Sequence, residues 1–494
     1  MEDSDKPKIT FVWINNIYGR LLCDDPRLMD AAVKRFAVPV ENYFFMPAYK
    51  AGRWDGKIRF LNYNGSFYLG IYHRLLKYVR NDDLYELVID PKFEALTNKD
   101  TAALKEDFFK ITEETLDSGV VPYTHQYRGA LKSLYFERGI CEHVTSSGKS
   151  LTITLTINYL YNKNKDNKIL ILVPKLDLVE QFVENMTTFG IPPDLIGKYC
   201  GYQKDTDQPF IVSTWQSIYK QKEFLKQFTI LIVDECHGLK ADVVRSVAEK
   251  MVNATIRLGF TGTMPEAKAD FMLVEGILGP IVDKVGYTEL QEAKQISDIS
   301  VRIINMIYPR EVVERNASSD YQQEKDYIES DPYRNKVICK IAREYTKNDK
   351  NVLILVKKIE HTETISGILK KMGMNVSVVT GETKINDRNI ARHAMEKSGG
   401  NVIVATVGVY STGVSINRLH TVIFASAGKS KIQTLQSVGR GLRLHNTKDK
   451  LHLYDICENL RFSEAHSKKR IKYYKDNNFD FTIRDVVVKD AQVS

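Results

Sequence analysis

The segment Thr145-Ser146-Ser147-Gly148-Lys149-Ser150 places a glycine, a lysine and several hydroxyls ahead of an apolar stretch, Leu151–Tyr161, that reads as a helix. A short strand, Gly139–His143, precedes it. A glycine-containing turn that opens a helix aims backbone N–H groups at one point, and the helix dipole adds positive potential there. That arrangement binds phosphate: Lys149 reaches the outer phosphates of a nucleotide, and the Ser150 hydroxyl is placed to ligate Mg²⁺. Taken alone, Gly-Lys-Ser is a common chance triplet. The full P-loop pattern also wants glycine where this chain has His143.

A second segment strengthens the first. Ile230-Leu231-Ile232-Val233 is an apolar strand that runs into Asp234-Glu235-Cys236-His237. A carboxylate at the C-terminal edge of such a strand can coordinate Mg²⁺, and its neighbour can polarise an attacking water, which gives Asp234 and Glu235 separate roles. The competing reading is a solvated acidic turn after a core strand, and the upstream Gly-Lys-Ser weakens it. A third segment, Gln436-Ser437-Val438-Gly439-Arg440-Gly441-Leu442-Arg443, puts Arg440 and Arg443 on one helix face. Two guanidinium groups so placed can neutralise transition-state charge on phosphates, or contact a nucleic-acid backbone, or simply line a basic surface. Spacing leaves those three open.

The N-terminal stretch carries another mixture. From Pro47 to Arg80 lysines and arginines far outnumber the one acid, Asp55, and aromatics are interleaved with them. Cations contact phosphates and aromatic faces stack on unpaired bases, so Lys50, Arg53, Trp54, Lys57 and Arg59 are candidate nucleic-acid contacts. A half-buried sheet, aromatic inside and cationic outside, would show the same mixture.

These residues must be positioned by something. Short, mostly apolar, β-branched runs recur at Ile169–Val173, Phe210–Ser213, Ile230–Val233 and Ile256–Phe260. They recur again at Val352–Val356, Val376–Val379, Val402–Ala405, Thr421–Ala425 and Leu451–Tyr454. Such runs fit strands buried on both faces, and helical lengths between them imply βαβ units and parallel sheets. The expected fold class is α/β: two tandem parallel-sheet domains plus a small α+β N-terminal domain. The expected boundaries are 1–115, 116–294 and 295–494.

Bulk features exclude other classes. The 494-residue chain has a net charge of +8, compatible with a polyanionic partner without demonstrating one. Its six cysteines show no CxxC spacing, which argues against a disulfide framework or a zinc site and fits a reducing compartment. No apolar run approaches the roughly 18 residues of a membrane helix. The charged start, MEDSDKPKIT, has no apolar h-region behind it.

In order along the chain, these segments resemble the motifs of superfamily 2 helicases. Gln126, in Pro122-Tyr123-Thr124-His125-Gln126, resembles the adenine-reading glutamine of the Q motif, and Thr145–Ser150 resembles motif I. Pro174–Gln181 resembles motif Ia, and Ser213-Thr214-Trp215-Gln216-Ser217 motif Ib. Asp234–His237 is motif II in its DExH form, and Thr261-Gly262-Thr263 is similar to motif III. Thr380-Gly381-Glu382 resembles the strand-gripping segment after motif IV. Ala405-Thr406 with Ser411-Thr412-Gly413-Val414 resembles motif V, and Gln436–Arg443 fits motif VI, QxxGRxxR. His143 and Val144 depart from the usual small residue and proline of motif I. The stretch Phe44–Arg59, above all Gly52-Arg53-Trp54-Asp55-Gly56-Lys57-Ile58-Arg59, resembles the N-terminal domain of UvsW-type bacteriophage helicases.

The resemblance implies two RecA-like domains, with ATP and Mg²⁺ as cofactors. It implies that Gln126 reads adenine, and that Thr145, Ser146, Ser147, Gly148, Lys149 and Ser150, with His237 and Gly413, contact nucleotide. Ser150 and Asp234 would hold metal, Glu235 would orient water, and Arg440 and Arg443 would complete the catalytic set. Thr214, Gln216, Thr263, Gly381 and Thr412 would touch the nucleic-acid backbone. The implied activity is ATP-dependent unwinding, branch migration or annealing of forked and branched DNA by a monomer in the cytoplasm, the host's if phage-encoded. Other replication or recombination proteins would be further partners, and no membrane is involved. Two rivals keep the same core: an RNA helicase, and a nucleotide-switched binding or annealing protein that unwinds little. A restriction-complex motor is disfavoured because no PD…(D/E)xK cluster stands out.

Overall fold

The computed structural model describes residues 6–81, 83–94, 100–240, 242–410, 416–426 and 444–488. The chain divides into two compact units: one holds the residues up to Val285 apart from Val144–Ser147, and the other holds Val144–Ser147 and Gly286 onward.

The first unit begins with β1 (Lys8–Trp13), β2 (Tyr18–Cys23), β3 (Ala37–Pro39), β4 (Lys57–Arg59), β5 (Ser66–Tyr68) and β6 (Glu86–Ile89). A four-stranded sheet runs β5-β2-β1-β6, and β3 pairs with β4 apart from it. β1 and β2 are antiparallel, joined by a turn in which Asn15 Oδ1 accepts the N–H groups of Ile17 (2.8 Å) and Tyr18 (2.9 Å). This small fold does not close on itself. Its core of Phe11, Phe60, Phe67, Ile71 and Leu75 is completed by Ala269, Met272 and Leu273 from the helix Lys268–Leu278.

That helix belongs to the second sheet, made of β7 (Arg138–His143), β8 (Ile169–Val173), β9 (Ile196–Tyr199), β10 (Phe210–Thr214), β11 (Ile230–Asp234), β12 (Ile256–Thr261) and β13 (Ile281–Val285). The seven strands are all parallel, ordered β13-β7-β12-β11-β8-β10-β9. Central strands such as β8 and β10 are buried along their whole length, as expected where helices cover both faces. Register sets Asp234 opposite Phe260 and Thr261 opposite Glu142, so the loops after β7, β12 and β11 leave the sheet at one edge. In open α/β sheets this carboxyl edge is where ligands bind.

The second unit repeats the plan with β14 (Asp298–Ile307), β15 (Val352–Val356), β16 (Asn375–Val379), β17 (Asn401–Thr406), β18 (Thr421–Phe424), β19 (Lys450–Glu458) and β20 (Asp480–Val487). Its order is β16-β17-β15-β18-β19-β14-β20, again parallel throughout.

Two elements lie close to the expected boundaries at 115 and 295. The helix Thr101–Thr115, placed with the N-terminal domain by the 1–115 limit, sends Phe108 into the core of the second sheet. The second unit starts at Gly286, before the expected 295, because the helix Tyr287–Glu292 buries Tyr287 against Phe479.

Candidate active site

The loop after β7 bends at two left-handed residues, Ser146 (φ 72°) and Gly148 (φ 79°). Glycine suits position 148 because of its φ, and a Cβ there would push the Gln126 amide aside. The helix Lys149–Lys163 starts directly after it. Its first N–H groups face the loop, as a phosphate cradle needs. Lys149 Nζ donates to the His143 carbonyl at 3.4 Å and lies 3.8 Å from Glu235 Oε1. A lysine held this close to an acid at the mouth of the loop is poised to meet the outer phosphates.

At the end of β11, Asp234 Oδ1 is buried and has no hydrogen-bond partner among the described residues. Burial, and next the charge of Glu235, raise the Asp234 carboxyl to about 7, with Lys149 pulling the other way. An acceptor buried without a donor wants a hard cation, so the residue fits Mg²⁺. Glu235 adopts a left-handed conformation (φ 50°). Its Oε2 lies 3.3 Å from both His237 Nδ1 and Thr261 Oγ1. Thr261 Oγ1 in turn stands 2.9 Å from His237 Nδ1 and 2.9 Å from the Thr263 carbonyl. Motifs II and III therefore share one hydroxyl, a hub that motif spacing did not single out.

The departure at His143 has a structural cause. Its imidazole is fully buried and turns away from the loop, with Nε2 2.8 Å from Asp283 Oδ2 on β13. Arg128 Nε and Lys132 Nζ each donate to Asp283 Oδ1 at 2.9 Å. Burial alone would raise the Asp283 carboxyl. The hydrogen bonds from His143, Lys132 and Arg128 outweigh it and hold the group well below the usual carboxylate range. Burial also lowers the His143 pKa, against the pull of Asp283, so a neutral imidazole donates to an ionised carboxylate. Gly129 makes room for the ring, since a Cβ there would stand 2.6 Å from His143 Cε1. Asp283, Arg128 and Lys132 carry no motif signal and were missed in the sequence.

Gln126 is buried, and its Oε1 accepts the Tyr123 N–H at 2.8 Å, capping its own helix, while Nε2 backs Gly148. The amide nitrogen thus lies against the P-loop at Gly148. Of the expected backbone contacts, Thr214 is buried and caps the turn Trp215–Ile218 through Ser217 N–H (3.3 Å), whereas Gln216 is exposed. Thr263 is half-buried, with a buried Oγ1 that lacks a partner among the described residues, and Gly381 is exposed just beyond β16. Thr412, Gly413, Arg440 and Arg443 lie outside the described residues.

In the N-terminal domain Lys50, Arg53 and Lys57 are exposed. Trp54 and Arg59 are held by partners within the segment. The Trp54 ring is half-buried and its Nε1 donates to the Lys57 carbonyl at 2.8 Å, while Arg59 is ion-paired with Asp55 at 2.6 Å. Among the described residues, no helix is long and apolar enough to cross a membrane.

Family models match in sequence order: "DNA helicase UvsW, N-terminal" over residues 9–90, "Type III restriction enzyme, res subunit" over 110–266 and "Helicase conserved C-terminal domain" over 334–445. The chain is 31% identical over 477 residues to the ATP-dependent DNA helicase uvsW of Enterobacteria phage T4, spanning 91% of this chain and 94% of that protein. The crystal structure of T4 UvsW superposes with a TM-score of 0.51 at 28% identity, covering 97% of this chain and 99% of the other. Dbp5 of S. cerevisiae, bound to RNA and ADP BeF3, superposes with a TM-score of 0.53 over 80% of this chain and 95% of its own. At 17% identity that likeness shows the fold alone. With its two parallel-sheet units identified as tandem RecA-like domains and almost its whole length aligned, the chain belongs to the UvsW family of superfamily 2 helicases.

Proposed function

We propose that this chain is an ATP-driven DNA helicase and translocase that acts on forks, junctions and related recombination intermediates. The observation that carries the catalytic half is Asp234, whose buried oxygen, without a partner among the described residues, sits at the carboxyl edge of the sheet next to Lys149 and Glu235. Ser150 and Asp234 would hold Mg²⁺, which supplies charge neutralisation on the phosphates when bound. Lys149 and the N–H groups of residues 145–150 position the triphosphate. Glu235 accepts hydrogen bonds from the attacking water and orients it toward the terminal phosphorus. That phosphorus leaves as phosphate and ADP remains. Through Thr261, any shift of Glu235 is felt at Thr263, on a loop proposed to meet the DNA backbone. Gln126 anchors the P-loop, and adenine recognition there calls for its amide to release Tyr123. Motif VI would add Arg440 and Arg443 as charge-stabilising groups.

The DNA half rests on the named relatives and on the exposed cations of the N-terminal domain, which we assign to the choice of branched substrates. Matched RNA and DNA forks in the same ATPase assay separate this reading from an RNA helicase. The catalytic assignment is tested by Glu235→Gln, which keeps the metal ligand Asp234. ATP binding should persist while DNA-stimulated hydrolysis falls by about 100-fold or more. Turnover near the parental rate would contradict the role given to Glu235.

A further inference from the structure

Between Glu41 and Arg53 every residue except Tyr43 is exposed. The segment includes Phe44 (49% exposed), Phe45 (66%), Met46 (40%) and Tyr49 (37%). Four large apolar side chains side by side in water mark an interaction site. The segment is also well braced. Phe45 N–H donates to Asn42 O (3.0 Å), Met46 N–H to Tyr43 O (2.9 Å), Lys50 N–H to Met46 O (3.0 Å) and Arg53 N–H to Ala48 O (2.9 Å). Its base is fixed by the Trp54–Lys57 hydrogen bond, by the Asp55–Arg59 ion pair, and by Gly56 (φ 78°), over which the Tyr43 ring lies too closely for any side chain. The rings of the segment pack on one another, with centroids 4.5 Å apart for Phe44–Phe45 and 4.7 Å for Tyr43–Tyr49.

The surroundings select the occupant. Lys50, Arg53 and Lys57 are exposed along the same segment, and Lys50 Nζ lies 6.0 Å from the Phe45 ring centre. Of the two acids nearby, Asp55 is neutralised by Arg59, which leaves Glu41. An apolar surface with a cationic collar suits a base flanked by phosphates, and aromatic rings stack on bases regardless of sequence. Bases inside a duplex offer no free face, whereas those at a branch point do.

We propose that Phe44 and Phe45 form an aromatic pin that stacks on the unpaired bases at a DNA branch point while Lys50, Arg53 and Lys57 hold the adjoining phosphates. The proposal rests on the assignment of the N-terminal domain to branched DNA and adds where on the domain the strands part. It moves the stacking role from Trp54, whose indole braces the base of the segment, to the rings that project beyond it.

The test compares the affinity of the full chain for a DNA fork with intact bases at the branch point and for the same fork with abasic sites there. The parent should favour the intact fork by roughly 5- to 150-fold per stacked base. Phe44→Ala/Phe45→Ala should abolish that preference, and Phe44→Tyr/Phe45→Tyr, which keeps the rings, should retain it. A parent indifferent to the abasic sites, or a double-alanine protein that still discriminates, overturns the pin. So does a parent that self-associates in sedimentation through these two rings, since the surface would then seat a second copy of the chain. A Lys50→Glu/Arg53→Glu protein keeps the two readings apart. If its preference for forks over single strands matches the parent's, the N-terminal assignment itself has failed. If that preference drops while the alanine variant still discriminates, only the pin has failed.

Discussion

His143 shows how one side chain can break a motif and leave its chemistry intact. The loop needs left-handed residues, and Ser146 and Gly148 supply them, so the position before Val144 is free to serve another purpose. That purpose is Asp283, a carboxylate held by three donors drawn from β7 and the helix Thr124–Phe136. Replacing His143 by alanine removes one donor and opens space beside Gly129. The expected loss is about 1–3 kcal/mol of stability, the usual cost of leaving a buried polar group short of a partner. Urea unfolding at neutral pH checks it, and an unchanged midpoint would show that Asp283 is satisfied by Arg128 and Lys132 alone. At this scale, what could be read from sequence was what is local. Gly148, Lys149, Asp234 and Glu235 stand in contiguous patterns whose chemistry follows from spacing. Asp283 meets partners more than a hundred residues away in the chain, so it reads as an ordinary strand acid. Gln126 was found by its neighbours, but its burial and its use as a helix cap are tertiary facts.

Among the elements, the buried strands were legible because both faces are apolar. Ile169–Val173 and Val352–Val356 match their expected limits, and the other seven runs differ by a residue or more at an end. Within the two seven-stranded sheets four strands were missed: β9, β13, β14 and β20. β9 and β20 are sheet edges, and β20 is mostly exposed, so its residues alternate with charge and resemble loop. β14 alternates buried and half-exposed positions, a pattern unlike the continuous runs that were sought. The union of the N-terminal fold with the helix Lys268–Leu278 was equally hidden. It depends on Gly70, where a Cβ would collide with the Glu275 carbonyl and stand 2.6 Å from Gly276 O. Gly70→Ala should therefore loosen the docked domain, seen as faster proteolysis of residues 1–100 and a lower melting temperature. Unaltered proteolysis would mean that the two elements part easily to admit a methyl group. In the second unit, burial first, with nearby cations adding to it, lowers His361 to about 3, and His420 and His452 to about 4. His420 Nδ1 accepts the Asn351 N–H at 3.0 Å and so carries no proton. The unfolded chain takes up protons near pH 6.5 that the folded unit refuses, so this contribution is complete above about 6.5 and is lost as pH falls toward 4. Calorimetry should show the melting midpoint dropping over that window. His420→Asn, which keeps an acceptor, should flatten the drop, and an equal slope in both proteins would remove His420 from the account.

For the whole molecule, the N-terminal domain is part of the first motor unit and not a tethered accessory. Tyr68 Oη donates to Glu249 at 2.6 Å, Arg74 Nε to Glu275 at 2.7 Å, Asn16 Nδ2 to Val252 O at 3.0 Å, and the Arg138 guanidinium to Asn16 O at 2.7 Å. Much of the basic-aromatic stretch that suggested nucleic acid is spent on this union: Phe60 and Phe67 are core, and Tyr68 and Arg74 are bonded to the motor. What remains outward includes the segment around Lys50, Arg53 and Lys57, together with Tyr63, Lys77, Tyr78 and Arg80. A substrate held there is held rigidly with respect to the sheet that carries Lys149 and Asp234. The central claim is that these cations choose the DNA structure while the nucleotide site drives the motion. Its most direct test is the ratio of fork-stimulated to single-strand-stimulated ATPase rates in the parent and in Lys50→Glu/Arg53→Glu/Lys57→Glu, measured across a salt series. The ratio should fall toward one, and the log–log salt slope of fork binding should shrink by about 0.9 for each phosphate that is no longer neutralised. An unchanged ratio and slope would contradict the account and place structure selection elsewhere in the motor.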